Sequence, residues 1–268
     1  MEINELSIQE KIGQMIIIGM DTNYITDRIK TMITKYKIGG IILYRKNFSN
    51  YEKMLELIQQ LKDLNKDNKI PLFIAIDQEG GKVNRLQAIS PEWKNLPSAK
   101  EMRIMADDSV YNLAKLIGNA LHHYGINLNL APVLDPPKDS KGKPSFIEVS
   151  NRSFGEFETA VPKIRAFVQG MKESKVLSTS KHFPGYDSWT NSDHQIAFST
   201  SSKDVILKNV ELFKEFADEI PVIMLSSVRF VRLSNTPAVF NPKITAMARE
   251  ISPYTVLLTD DLWGVSLR

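Results

Sequence analysis

Short apolar runs alternate with helix-period stripes along the whole chain, and this alternation restricts the fold more than any other feature. Seven runs stand at residues 15–19, 38–44, 71–76, 126–133, 175–180, 221–225 and 256–258. They are rich in Ile, Val and Leu without polar alternation, as strands covered on both faces of a parallel sheet are. Between them, apolar residues recur at helical spacing. One stripe is Tyr51, Met54, Leu55, Ile58 and Leu61; a second runs from Leu113 to Tyr124 and ends at Gly125, a residue suited to a left-handed cap. A third joins Ile164, Phe167, Val168 and Met171, with Pro162 expected in its first turn. A fourth runs from Val205 to Phe216 and starts after Ser202-Lys203-Asp204. Strands alternating with helices predict a (β/α) barrel or a doubly wound sheet. No Gly-x-Gly-x-x-Gly follows the first run, which argues against a dinucleotide fold.

The chain has 268 residues, enough for one such barrel, and is read as one domain over 1–268. It has no cysteine, which excludes disulfides and thiolate metal sites. Its formal charge of +3 comes from 34 basic and 31 acidic residues, interspersed, so nucleic acid is not an expected partner. Met1-Glu2-Ile3-Asn4-Glu5 has no basic leader, and no apolar run is long enough to span a bilayer, so a cytoplasmic location without membrane attachment is expected. The last run ends ten residues before Arg268. A closed eight-stranded barrel needs one more strand–helix unit, so the expectation is an open barrel whose edge a homodimer would cover.

Polar residues collect where the runs end. The third leads into Asp77-Gln78-Glu79-Gly80-Gly81-Lys82-Val83-Asn84-Arg85, the fourth into Asp135, the fifth into Lys181-His182-Phe183-Pro184-Gly185, and the seventh into Thr259-Asp260-Asp261. In a barrel these ends converge on one face, so residues distant in sequence line one pocket. Carboxylates, cations and imidazoles gathered there suit a polyhydroxylated ligand such as a sugar. No metal or other cofactor is expected. Paired histidines at the first strand end, which would begin a metal site, are absent, and His122-His123 lie within a helix about 100° apart.

These pieces resemble glycoside hydrolase family 3, in its short bacterial β-N-acetylhexosaminidase form of the NagZ type. Besides the motifs above, the resemblance rests on Glu10-Lys11-Ile12-Gly13-Gln14-Met15, Gly39-Gly40-Ile41-Ile42-Leu43, Leu96-Pro97-Ser98-Ala99, Ala131-Pro132-Val133-Leu134-Asp135 and Asn151-Arg152-Ser153-Phe154-Gly155. It implies a TIM-type (β/α)8 barrel, here lacking its last βα unit, and retaining hydrolysis of terminal β-linked N-acetylglucosamine, with cell-wall muropeptides as the source. It puts the nucleophile on Asp260, with Asp261 pointing elsewhere, and sugar binding on Asp77, Arg85, Arg152, Lys181 and His182. Asp135 is left as a structural cap.

The acid/base of that form is a loop histidine with an aspartate two residues before it. Here the histidine is His194, but Ser192 holds the aspartate's place and Asp193 stands between them. Neighbours in an extended loop point to opposite sides, so Asp193 does not simply take over, and Asp187 is the other carboxylate within reach. A slowed or altered glycosidase is expected. The rival readings are a sugar-binding barrel without catalysis, a metal-dependent hydrolase, and a β-glucosidase or β-xylosidase of the same broad family.

Overall fold

The structure, a computed structural model, describes residues 5–268; Met1 to Asn4, on which the expected lack of a leader partly rests, lie outside it. The strands are β1 (Ile17–Gly19), β2 (Gly40–Leu43), β3 (Phe73–Ile76), β4 (Leu128–Asn129), β5 (Leu177–Phe183), β6 (Phe198–Ser199), β7 (Val222–Leu225), β8 (Arg229–Phe230) and β9 (Val256–Thr259). The helices are α1 (Ile8–Gln14), α2 (Asp27–Thr34), α3 (Tyr51–Asn65), α4 (Ala99–Met102), α5 (Asp107–Tyr124), α6 (Phe146–Val149), α7 (Phe157–Glu173), α8 (Lys203–Glu215) and α9 (Pro242–Ile251). All seven apolar runs carry strands of one sheet, ordered β1-β2-β3-β4-β5-β7-β9, with every neighbouring pair parallel. A doubly wound sheet reverses its strand order at a switch point. Here the order never reverses, so the sheet winds one way, as a barrel wall does. β6 and β8 form a separate two-stranded parallel pair that periodicity did not foretell, being only two residues each.

Strand faces divide the apolar residues into two sets. The larger set joins the sheet's outer face, through Ile41, Leu43, Ile74 and Ile76, to helix residues such as Met54, Ile58, Ile117, Leu121 and Phe167. Each of these, fully buried, contributes about 1.5–3 kcal/mol. The smaller set is Ala75, Leu128, Leu130, Val222 and Met224, with Ile17, Ile42, Phe73 and Leu258 packed on it. These positions alternate with the outer set along the strands, so they fill the inside of the curl.

Helix limits follow local chemistry. Ser202 caps α8 by accepting from the Val205 amide. Gly125 ends α5 at φ 87°, a conformation that costs a side-chain-bearing residue more. Pro162 departs from expectation. Because α7 starts at Phe157, Pro162 sits in its second turn and is tolerated inside the helix rather than at its start. The Lys181–His182, Ala131–Pro132 and Phe183–Pro184 peptides are cis.

Among the described residues no helix is long and apolar enough to cross a membrane. A cavity of about 500 Å³ lies at the N-terminal ends of β5, β7 and β9, lined by Leu177, Pro221, Tyr254 and Thr255 among others. It is at the opposite end of the strands from the polar clusters.

Candidate active site

Strand phase assembles the site. Inside the curl, Ile42, Ala75 and Leu258 belong to or pack on the inner apolar set. Two residues further along each chain, one pleat period on, come Tyr44, Asp77 and Asp260. Lys181 continues β5 two residues beyond Thr179, at the level of Met224. The interior is therefore apolar to a given height and polar above it, and the change falls at the C-terminal mouth.

One ionic lattice dominates that mouth. Lys181 Nζ lies 2.8 Å from Asp77 Oδ1 and 2.6 Å from Glu79 Oε1, with the lysine side chain only 2% exposed. Arg152 grips Glu79 with two parallel hydrogen bonds of 2.8 Å, from Nε to Oε2 and from Nη2 to Oε1. Arg85 Nη2 stands 3.9 Å from Asp77 Oδ2. Burial pushes the Glu79 carboxyl up, but Arg152 and Lys181 outweigh it and hold Glu79 well below the usual carboxylate range. Burial likewise works against the Lys181 ammonium, and Asp77 and Glu79 reverse the effect, so its pKa is raised. The turn that presents Glu79 needs glycine: Gly80 has φ 90°, and a Cβ there would stand 2.1 Å from the Pro97 carbonyl oxygen.

Beside the lattice, Asp135 organises three groups. Its Oδ1 accepts from the backbone amides of His182 at 2.8 Å and Tyr186 at 2.7 Å. Its Oδ2 lies 2.6 Å from His182 Nδ1. A carboxylate only accepts, so Nδ1 carries a proton. Asp135 thus both orders the loop, as expected of a cap, and fixes the His182 ring.

β9 delivers the next pair. Asp260 accepts from Ser227 Oγ at 3.2 Å and from the Asp261 amide at 2.9 Å. Asp261 does not point elsewhere. Burial raises its carboxyl to about 6, and Asp260, Asp77 and Asp193 add to the rise, so it shares their space. Burial, with Asp261 and Asp77 near by, also pushes the Tyr44 phenol up.

The loop after β5 closes this side. Tyr186 pins it by donating to Thr190 O at 2.5 Å and accepting from the Ser192 amide at 2.8 Å. The Ser192 carbonyl accepts from Ser266 N–H at 3.0 Å, and the Asp193 carbonyl from Val265 N–H at 3.3 Å. Asp187 is buried and accepts from the Ser201 hydroxyl, so it does not fold back on His194. His194 is exposed, whereas Asp193 is half-buried. Burial and Asp260 raise the Asp193 carboxyl, against the lowering pull of His194, Arg152 and His182.

Asp77, Arg85, Lys181 and Arg152 are thus joined in one network, His182 stands next to it, and Asp260 shares the mouth. His194 lies at its rim.

A model of the glycosyl hydrolase family 3 N-terminal domain matches residues 7–251. The chain belongs to that family. This family 3 chain is 33% identical over 221 residues to the β-hexosaminidase A of Pseudoalteromonas piscicida, covering 79% of itself and 36% of that relative. It is 26% identical over 258 residues to a Pseudomonas aeruginosa β-hexosaminidase, covering 92% of itself and 73% of that protein. A family 3 β-N-acetylglucosaminidase from Paenibacillus sp. str. FPU-7 superposes with a TM-score of 0.85 at 28% identity, over 98% of this chain and 50% of that one. The chain therefore spans half or less of two of these three relatives.

Sequence reasoning about this family 3 site passed over Glu79 and Tyr44 and undervalued Asp135. Tyr44 stands two positions past Ile42, so the pleat period was an available signal; Glu79 lies in the turn after β3, where that period does not reach.

Proposed function

We propose that the chain is one family 3 barrel domain that hydrolyses terminal β-linked N-acetylglucosamine with retention of configuration. The supporting observation is that Asp77, Lys181 and Asp260, from three strands, meet at one mouth. In this reading the Asp77–Lys181 pair, Arg85, Arg152 and His182 bind the terminal sugar. Charged donors and acceptors make the stronger hydrogen bonds to its hydroxyls. Asp260, held by Ser227 and its own neighbour's amide, attacks the anomeric carbon. A proton donor on the opposite side of the ring completes the reaction. In this reading it comes from His194, at the end of the loop after β5, with Asp193 beside it. The names of the relatives, β-hexosaminidases and a β-N-acetylglucosaminidase, support the choice of sugar.

Release of nitrophenol from the N-acetyl-β-glucosaminide, and not from the β-glucoside, tests the reaction. Trapping with a 5-fluoro sugar and mapping the labelled peptide tests the nucleophile. A label on Asp260 supports the reading; a label elsewhere, or no turnover with sugar still bound, overturns it.

Muropeptides as the source and the cytoplasm as the place complete the proposal, on the likeness to the bacterial β-hexosaminidases. A second copy is proposed to cover the sheet's edges, where Met15 and Val256 are exposed beside β1 and on β9. A monomer in light scattering at micromolar concentration would remove that part.

A further inference from the structure

The paired hydrogen bonds between Arg152 and Glu79 join two stretches that have no regular structure of their own. Glu79 stands in the turn after β3, and Arg152 in the link between α6 and α7. Both bonds hold only while the guanidinium and the carboxylate share a plane. Something outside the pair must therefore fix the two stretches relative to each other. The segment 96–103, which contains α4, touches both. On the Glu79 side the contact is close packing. Gly81 N–H donates to Leu96 O at 3.0 Å, and a Cβ on Gly81 would stand 2.6 Å from the Ser98 Cβ. Ser98 is fixed in turn by a capping box with Glu101.

On the Arg152 side the contact is made by charged side chains. Arg103 Nη2 donates to the Ser153 carbonyl and to Glu148 Oε2, both at 2.7 Å. Lys100 Nζ reaches the other Glu148 oxygen at 3.0 Å, and the Lys100 amide donates to the Asn151 carbonyl at 3.2 Å. The residues on either side of Arg152 are thus both held from the same segment. Asn151 stands at φ 63°, a left-handed conformation that persists only where its surroundings impose it. A Cβ on Gly155 would stand 3.1 Å from Arg103 Nε, so the guanidinium also lies against the chain just past Ser153. The Arg103 and Glu148 side chains are 22% and 17% exposed, so the contact is largely shielded from solvent.

We infer that Arg103 is a positioning residue for the terminal sugar and acts through Arg152. This rests on the reading above, in which Arg152 binds that sugar. Arg103 holds the Ser153 carbonyl, and with it the Arg152 backbone, against the segment that also carries the Glu79 turn. The segment therefore sets the distance at which the guanidinium meets its carboxylate. A binding group keeps its function only within about 0.5 Å or 10–20° of the productive geometry. Removing Arg103 frees the outer side of the α6–α7 link and lets Arg152 leave that range. The hydrogen bond from Ser153 Oγ to the Asp135 carbonyl, at 3.1 Å, still holds the inner side. A graded loss of sugar affinity follows, and not collapse of the fold.

The test compares Arg103→Met, Arg103→Lys, Arg152→Lys and the double variant Arg103→Met with Arg152→Lys. Lys115→Met, which breaks an exposed ion pair between α5 and α7, is the control. Calorimetry reads N-acetylglucosamine binding, and the nitrophenyl N-acetyl-β-glucosaminide gives kcat and KM. Arg103→Met should weaken binding and raise KM about tenfold, by analogy with residues that orient metal ligands, while kcat changes less. Arg103→Lys keeps one charged donor and should recover part of the loss; it carries the comparison if the methionine variant does not fold. Lys115→Met should leave both quantities unchanged. In the Arg152→Lys background, which has already lost the paired grip, Arg103→Met should add little. Fully additive losses, or a fall in kcat at unchanged KM, would overturn the assignment while the glycosidase reading stands. Hydrogen exchange of the Arg152 Nε–H, followed by NMR without ligand, should quicken in Arg103→Met, and an unchanged rate overturns the bracing role. If the native protein binds no N-acetylglucosamine, the sugar reading falls and the sugar part of this assignment with it, while the exchange rate still decides whether Arg103 braces Arg152.

Discussion

The mouth of the sheet has two sides that handle charge in opposite ways. On the β3 and β5 side, Lys181, Arg152, Asp77 and Glu79 are mutually compensated at 2.6–2.8 Å, and burial coexists with close pairing of opposite charges. On the β9 side, Asp260, Asp261 and Asp193 crowd together, and burial raises the last two. A compensated lattice is rigid and holds donors and acceptors in place before a ligand arrives. Crowded carboxyls do not satisfy one another, so their protonation depends on one another. The first side suits binding and the second proton transfer, and one fold keeps them apart by drawing them from different strands.

Removing a charge should thus have opposite consequences on the two sides. Asp260→Asn is expected to show the largest effect of all, a loss of about 10⁴-fold or more in turnover, by analogy with other enzymes stripped of a nucleophile. Its thermal midpoint should not fall, because repulsion with Asp261 and Asp193 is relieved. A clear drop in melting temperature alongside the lost activity would show that Asp260 is part of the scaffold, and the contrast would collapse.

Glu79→Gln tests the other side. It takes from buried Arg152 the carboxylate that both its hydrogen bonds reach and from Lys181 one of its two carboxylates, a change that typically costs about 3–5 kcal/mol. Denaturant unfolding should show that loss. A stability within about 1 kcal/mol of the native protein would mean that water reaches the lattice and that burial does not govern it.

The sequence already displayed much of this division. Seven apolar runs named the strands, and their polar ends named Asp77, Lys181, His182 and Asp260, because a buried parallel strand leaves a plain hydrophobic signature and its termination is abrupt. What remained hidden depended on direction and not on composition. Glu79 reads as one acid in a polar turn until Gly80 and Gly81 fold it back under Arg152. Asp135 looks like a cap because nothing local shows that His182, 47 residues on, will meet it. Asp193 and His194 are equally polar in print, and only the fold shows that Asp193 is half-buried and His194 exposed.

Asp135 sits between the two sides and sharpens the comparison. Asp135→Asn keeps its shape but offers an amide, which no longer demands a proton on Nδ1 and so frees the orientation of the His182 ring. Misorienting a ring in this way is expected to cost about 10–100-fold in kcat/KM by analogy with other buried ring–carboxylate pairs. Stability should fall modestly, since the two backbone amides keep an acceptor. An effect on KM alone would make His182 a binding group in the ground state; an effect on kcat as well would place it in the transition state.

The smallest expected effect is on stability against pH, and its sign separates the sides. Asp261 has a folded-state pKa raised to about 6 from an ordinary value of 3.8, so the folded chain binds its proton more tightly than the unfolded chain does. Its contribution is therefore unfavourable above pH 6 and fades as pH falls from 6 toward 3.8. Glu79 is depressed, so its stabilising contribution is complete above about 4.5 and is lost only as pH falls through its lower folded value. Between pH 7 and 5 the crowded side relaxes while the lattice is untouched, and the melting temperature should rise by a few degrees at most from this source. Asp261→Asn should flatten that rise, and Glu79→Gln should leave it in place. A rise that survives Asp261→Asn undiminished would move the crowding to other carboxyls and remove Asp261 from the mouth's proton economy.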